Sequence, residues 1–355
     1  MKILILTGRF GMGHVKTAAA IREQVSERWP DAQIAVVDLL DWMFPACSTA
    51  VYRVFGSAVR CIPSLYNMLN RAADRVRSSS WKKPVSARLR SLFAVYAPDL
   101  VISTLPLCSK CVSAYKIRTG ATVPLFTFIT DITVHADWIT PQTAHYFVGA
   151  AQTGAALRDR GVPAGRITVS GIPVGRAFSA PHEPTQSAAQ KKEVLLMGGG
   201  LGLLPAGDDL LAALAADPSV HVTLIAGKNA ALARRTAKRF PQIETVGWTA
   251  EVARYLRRAD LLLTKAGGIT TFEAIAAGTP LCILHPFLAQ EIGNASYIEQ
   301  MRIGRVFWTP QDCTAANVLA LVHDETALAR LRAGIADLRA DQKSPAATIR
   351  EAFVS

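Results

Sequence analysis

Leu263-Thr264-Lys265-Ala266-Gly267-Gly268-Ile269-Thr270-Thr271-Phe272-Glu273 reads as the end of a buried strand, a glycine turn and the first turns of a helix. The apolar run Leu261–Leu263 supplies the strand, and the paired glycines let the backbone turn tightly and approach a ligand closely. A helix from Thr270 would aim its free N–H groups, with the threonine hydroxyls, at an anion such as a diphosphate. Glu273, one turn in, suits sugar hydroxyls. Beyond the next apolar run, Leu281–Leu284, the polar residues Gln290, Glu291 and Asn294 suit the same purpose.

Working outward, this unit is one beat of a longer rhythm. Val194–Met197, a helix near Asp208–Ala216, Val220–Ile225, a helix near Ala230–Arg239, and Ile243–Val246 precede it. The same alternation runs through the first half: Ile3–Leu6, a helix at Lys16–Arg28, Ile34–Val37, Leu100–Ser103, Leu125–Ile129 and Tyr146–Val148. Strand and helix alternating in this way make a parallel sheet covered on both faces. The expected fold class is α/β, with two Rossmann-like domains facing each other across a cleft. Residues 1–180 form the first, a link near 180–190 lies in the polar stretch Ser179–Lys192, and 190–340 form the second. A C-terminal helix in 341–355 is expected to cross back to the first domain.

Ligands of open α/β sheets collect at the carboxyl ends of the strands, and three more groups of residues fall there. Leu6-Thr7-Gly8-Arg9-Phe10-Gly11-Met12-Gly13-His14 joins the first strand to the first helix. Its glycines do not give the dinucleotide spacing, even with Asp38 or Asp41 as a distant acid. His14 is either a capping histidine or a base that takes a proton from an attacking hydroxyl. Thr130-Asp131 with His135 and Trp138 follows Leu125–Ile129; Asp131 is a base, a partner that orients one, or a helix cap. Met197-Gly198-Gly199-Gly200-Leu201-Gly202 is a second glycine loop whose N–H groups reach a phosphate. A D-x-D carboxylate pair for a divalent ion is absent, Asp208-Asp209 reading as a solvated helix face, so neither metal nor other cofactor is expected.

The 355 residues carry a net charge of +12, of which +11 falls in residues 1–180 and +1 in the remainder. Such asymmetry points to a polyanionic partner, nucleic acid or an anionic membrane. Between Val51 and Arg90 nine Lys and Arg face one acid, Asp74, and alternate with apolar residues at helical spacing. That pattern suits a membrane interface or a buried helix face with solvated arginines. Nucleic-acid motifs are missing. Six cysteines in a chain of this length make no disulfide framework and read as reduced thiols, with Cys108 and Cys111 lacking a second half-site for zinc. The opening apolar run meets glycines at once and reads as a strand, not a signal peptide, and no apolar run is long enough to span a bilayer. A cytoplasmic protein, peripheral on the membrane, is the expectation.

Taken together, Thr264–Ala274, Gly278-Thr279-Pro280 and Gln290-Glu291-x-x-Asn294 resemble the donor-site signature of GT-B glycosyltransferases of the monogalactosyldiacylglycerol synthase and processive diacylglycerol glucosyltransferase group. The peptidoglycan lipid II synthase is a more distant likeness. The loop ending at His14, Thr130-Asp131 with His135 and Trp138, Gly171-Ile172-Pro173-Val174, Leu196–Gly200 and Gly247-Trp248 resemble that group in its order, over essentially the whole chain. The resemblance implies inverting transfer from a UDP-sugar to a lipid hydroxyl, giving a β-glycoside. It implies His14 or Asp131 as base, with His135 in the same constellation. Gly199, Gly200, Lys265, Gly267, Gly268, Thr270 and Glu273 fall where the group contacts UDP, and Gln290 and Glu291 where it holds the hexose. Gly13, Tyr52, Phe55, Arg60, Leu65, Tyr66 and Trp138 fall on its acceptor and membrane side. Arg9, Phe10 and Met12 depart from the group's more glycine-rich loop and are expected to enlarge and charge the acceptor side. Two alternatives share the architecture: a soluble glycosyltransferase acting on a small metabolite, and a UDP-sugar epimerase.

Overall fold

The computed structural model describes residues 1–53, 82–180, 191–341 and 345–354. The expectations for Phe55, Arg60, Leu65 and Tyr66, and most of the basic stretch, lie outside those residues. The chain divides into two compact units, Met1–Pro173 with Lys343–Ser355, and Val174–Gln342. The division falls at Pro173, ahead of the expected link at 180–190, because the short 3₁₀ helix Arg176–Ser179 packs on helices of the second unit.

The first unit is a six-stranded parallel sheet of order β2-β1-β3-β4-β5-β6, formed by Lys2–Thr7 (β1), Gln33–Asp38 (β2), Leu100–Ser103 (β3), Leu125–Phe128 (β4), Thr143–Val148 (β5) and Ile167–Val169 (β6). The central strands are short apolar runs with no exposed residue, as strands covered on both faces require. Helix α1 (Met12–Arg28) lies on one face, where Ala18, Ile21 and Val25 meet Ile3, Ile5 and Ile102. The C-terminal helix Pro345–Val354 belongs to this unit, and its Ala346 and Ile349 complete the same core. Each fully buried Ile or Val side chain here contributes about 1.5–3 kcal/mol. On the other face Leu89 and Leu92 of Lys82–Tyr96 and Cys108 and Val112 of Pro106–Thr119 pack against Leu4 and Leu6.

The second unit has the order β12-β11-β10-β7-β8-β9, from Lys192–Met197 (β7), Val220–Ile225 (β8), Glu244–Val246 (β9), Leu261–Thr264 (β10), Leu281–Leu284 (β11) and Gly304–Phe307 (β12). Read from β9, this is the Rossmann strand order, in which the chain reverses direction across the sheet between β7 and β10. Each unit therefore has a switch point: between β1 and β3 in the first, and between β7 and β10 in the second. Among the described residues no helix is long and apolar enough to cross a membrane.

The loops after β7 and β8 lock together through glycine. Gly202 has φ +65°, and a Cβ there would lie 2.0 Å from the Ala226 carbonyl oxygen. A Cβ on Gly227, at φ +55°, would meet the carbonyl oxygens of Gly200 and Gly199 at 2.8 and 3.0 Å. Lys228 N donates to Gly200 O at 3.1 Å and Asn229 Nδ2 to Gly202 O at 3.1 Å, so the glycine loop is pinned at both ends. Gly202→Ala adds both a backbone clash and a left-handed residue, and is expected to destabilise the second unit by at least about 2 kcal/mol. Denaturant unfolding checks this; an unchanged transition would show that the two loops are not locked.

Candidate active site

The switch point of the first unit is built on His14. Gly11, with φ 100° and ψ 160°, turns the chain out of β1 into α1 in a conformation that a side chain would resist. His14 follows in the first turn, and its Nδ1 lies 2.8 Å from the Thr104 carbonyl oxygen and 2.9 Å from Thr130 Oγ1. A carbonyl can only accept, so Nδ1 carries the ring proton and Nε2 keeps its lone pair. Burial lowers the His14 pKa to about 4, opposing the Thr104 hydrogen bond, and the charge of His135 lowers it further. The ring is neutral at pH 7.

Thr104 follows β3 across the switch point and is fully buried. Its hydroxyl lies 2.9 Å from Thr7 Oγ1 and 3.1 Å from the His14 carbonyl oxygen, where it donates. One side chain thus fastens both ends of the Thr7–His14 loop. The sequence reading did not single it out; the signal was a pair of polar residues, Ser103-Thr104, ending an otherwise apolar strand.

Asp131 follows β4, in a loop fixed by Thr153 Oγ1 donating to the Ile132 carbonyl at 2.6 Å. Burial pushes its carboxyl up to about 6. His135 is exposed, with Nδ1 3.6 Å from Asp137 Oδ2. Asp137 also pairs with Lys110. The structure thus brings His14 and Thr130 into direct contact and sets His135 on the surface, near enough for its charge to be felt.

Two expectations on the acceptor side are corrected. Trp138 is fully buried among Ile129, Tyr146, Val148 and Leu157, so it offers no surface to a membrane or acceptor. It backs the site from within, its ring centroid 6.3 Å from that of His14 and 6.0 Å from that of His135. Arg9 does not charge the acceptor side, because its guanidinium bonds both Asp41 oxygens, at 2.5 and 2.6 Å, and reaches Asp38 at 3.3 Å. Tyr52 is half-buried beneath it and donates to Asp38 at 2.7 Å. Gly13 lies in the first turn of α1 beside His14.

In the second unit the two glycine loops leave neighbouring strands at the switch point, β7 and β10 pairing Met197 with Thr264. Thr264 Oγ1 donates to the Met197 carbonyl at 2.5 Å and ties the two strand ends together. The helix Gly268–Ala277 starts at Gly267 with no side chain capping its first N–H groups. Those donors, beside Gly199 and Gly200, form a ready anion site. Thr270 stands in the first turn, and Glu273, beyond it, is buried at 2% exposure. Lys265 Nζ pairs with the buried Glu291 at 3.1 Å, joining two residues that the sequence placed in separate roles. Gln290 is exposed at the start of Ala289–Gln300.

Asn294 corrects another expectation. It is fully buried, and its Nδ2 donates to the Ala266 carbonyl at 2.9 Å, so its amide is used to brace the Lys265–Gly268 turn. His285, which the sequence reading missed, ends β11 at φ 38°, a rare conformation for a residue with a Cβ and the more so before Pro286. This strained position directs the loop that leads to Gln290 and Glu291.

Residues 14–174 match the family model for monogalactosyldiacylglycerol (MGDG) synthase, and residues 194–354 match the glycosyltransferase family 28 C-terminal domain. The glycotransferase of kitacinnamycin shares the fold at a TM-score of 0.68, with 16% identity over 99% of this chain and 98% of that one. Anabaena Alr3699/HepE, solved in complex with UDP, shares it at 0.59, with 15% identity over 100% and 98% of the two chains. With two Rossmann-like units and these matches, the chain is a GT-B glycosyltransferase. Within that class it is similar to the monogalactosyldiacylglycerol synthase and processive diacylglycerol glucosyltransferase group. A Bacillus subtilis (strain 168) relative named processive diacylglycerol beta-glucosyltransferase is 28% identical over 351 residues, covering 95% of this chain and 91% of that protein.

The raised pKa of Asp131 carries a stability cost. Because its folded pKa is raised from 3.8 to about 6, the native state binds the extra proton between those values, and stability falls as pH rises through that window. His14 acts oppositely: lowered from 6.5 to about 4, it adds stability as pH rises through its own window. At pH 7 only the Asp131 cost remains, and Asp131→Asn is expected to stabilise the first unit by about 1–3 kcal/mol. Urea unfolding at pH 7 measures it, and a less stable variant would contradict the raised pKa.

Proposed function

We propose that this chain transfers a hexose from a UDP-sugar to the hydroxyl of a diacylglycerol-type lipid, with inversion, forming a β-glycoside at a membrane surface. The observation that carries the reading is His14: a neutral imidazole, held by the Thr104 carbonyl so that Nε2 keeps a lone pair for a proton. The second unit supplies the other half of the chemistry, an uncapped helix start between two glycine loops, suited to a diphosphate. The UDP reading is supported by HepE, a fold neighbour solved with UDP, and the lipid reading by the name of the Bacillus subtilis relative.

In the reaction, His14 Nε2 takes the proton of the acceptor hydroxyl as its oxygen attacks the anomeric carbon from the face opposite the leaving group. The new C–O bond forms, the bond to the diphosphate breaks, and UDP departs with the electron pair. While the Gly267 N–H is spent on the Lys265 carbonyl at 2.8 Å and shapes the turn, backbone N–H groups of Gly199, Gly200 and Gly268, with the Thr270 hydroxyl, stabilise the charge growing on the diphosphate. That role needs no metal ion. Glu273 takes the ribose hydroxyls, while Gln290 and Glu291 take the hexose, Glu291 oriented by Lys265. Asp131 supports the base. Membrane contact is assigned to the basic stretch Val51–Arg90, of which Arg88 and Arg90 are described and exposed.

Incubation with UDP-glucose or UDP-galactose, EDTA and diacylglycerol vesicles is expected to give a glycolipid and UDP. A protein that instead remodels the UDP-sugar without acceptor is an epimerase, and one that glycosylates only soluble acceptors and ignores anionic vesicles is a small-molecule transferase. The pH profile assigns the base. With His14 in that role, kcat/KM loses activity on the acid side with a midpoint of about 4, as Nε2 becomes protonated. A midpoint of about 6 that disappears in Asp131→Asn would transfer the role to Asp131.

A further inference from the structure

The loop that delivers His14 has little stiffness of its own. Gly8, Gly11 and Gly13 punctuate it, and Gly11 caps α1 without a side-chain hydrogen bond. Thr104 fastens its two ends, at Thr7 and at the His14 carbonyl. Its middle is fastened by Arg9, and the parts it grips are themselves fixed. Asp38 caps the helix Leu39–Met43, accepting from Leu40 N at 3.0 Å and Asp41 N at 3.1 Å. The Arg9 guanidinium spans Asp38 and both oxygens of Asp41, and lies 4.7 Å from the centre of the Tyr52 ring. Tyr52 donates to Asp38, and a Cβ on Gly8 would come within 3.1 Å of its hydroxyl, so the ring rests on the loop backbone. Phe10 meets the same ring edge-on, at 5.0 Å between centroids.

We propose that Arg9 is a positioning residue, whose clamp on Asp38, Asp41 and Tyr52 holds the Gly8–Gly13 backbone and thereby seats His14 against Thr104. A planar guanidinium can bind two carboxylates and stack on a ring at once, which an ammonium cannot. The clamp acts on the loop and touches no reacting atom. Its role in turnover rests on the reading of His14 as base; its role in placing His14 does not.

The test follows the His14 ring by NMR titration in the full-length protein, its resonance assigned by its loss in His14→Asn. Turnover and UDP binding are measured beside it. His135 is the titratable neighbour whose charge acts on His14, and it is left unchanged. In Arg9→Ala the loop loosens and water reaches the ring, so the His14 midpoint is expected to rise by about one pH unit or more toward its ordinary value. Turnover is expected to fall by about tenfold, the scale of a small misplacement of a reacting group. UDP affinity should stay unchanged, and Arg9→Lys should not restore turnover. Asp41→Asn preserves the packing while removing one charge of the clamp; it should show the same direction of shift and serves should Arg9→Ala fail to fold. A His14 midpoint that stays in place in both variants overturns the proposal. If the midpoint moves while turnover and its pH profile do not, the clamp stands and the assignment of His14 as base falls.

Discussion

The hydrogen bond from His14 Nδ1 to the Thr104 carbonyl oxygen, 2.8 Å long, is the constraint on which the first unit's chemistry depends. It fixes the tautomer, and burial keeps the ring neutral where an exposed histidine would be partly charged near neutrality. The bond exists because of topology. Strands β1 and β3 lie side by side although most of a hundred residues separate them in sequence, so the loop after one meets the end of the other. Thr104 then serves the site three times, through its carbonyl, its hydroxyl to Thr7 and its hydroxyl to the His14 backbone.

The second unit applies the same rule to a different ligand chemistry. Its switch point sets two glycine loops on adjacent strands, and glycine is required there by contact: Gly198 has no room for a Cβ against the backbone of Leu203 and Leu204. Its polar side chains largely brace the site. Thr264 ties the strand ends, Asn294 supports the turn, and Lys265 neutralises the buried Glu291. Backbone donors held in this way cost no reorganisation when charge develops, which is what departure of a diphosphate requires.

Much of this was legible in the sequence because buried parallel strands are short apolar runs and glycines mark the functional loops. The central strands β3, β4, β10 and β11 declare themselves so. Two of the edge strands, β6 and β12, do not: Ile167–Val169 is three residues long, and Gly304–Phe307 carries an arginine and opens on a glycine. Pro106–Thr119 was missed because small polar residues interrupt its apolar face. Helix α1 starts at Met12, earlier than the apolar pattern at Lys16 suggested, because Gly11 makes the turn. In the site, residue types were readable and their partners were not. Arg9 looked like a free charge until β2 brought Asp38 and Asp41 beside it. Trp138 and Asn294 looked like ligand contacts until the packing closed over them. These are pairings across long sequence separations, which local pattern does not encode.

The central claim is that His14 is a neutral base whose Nε2 is free to take a proton. Nitrogen-15 NMR of the histidine rings at pH 7 tests it most directly, with His14→Asn identifying the resonances. The account predicts a neutral His14 protonated at Nδ1 and unprotonated at Nε2, gaining its second proton only at about pH 4. A ring protonated at Nε2, or one that titrates at its ordinary value, would contradict it.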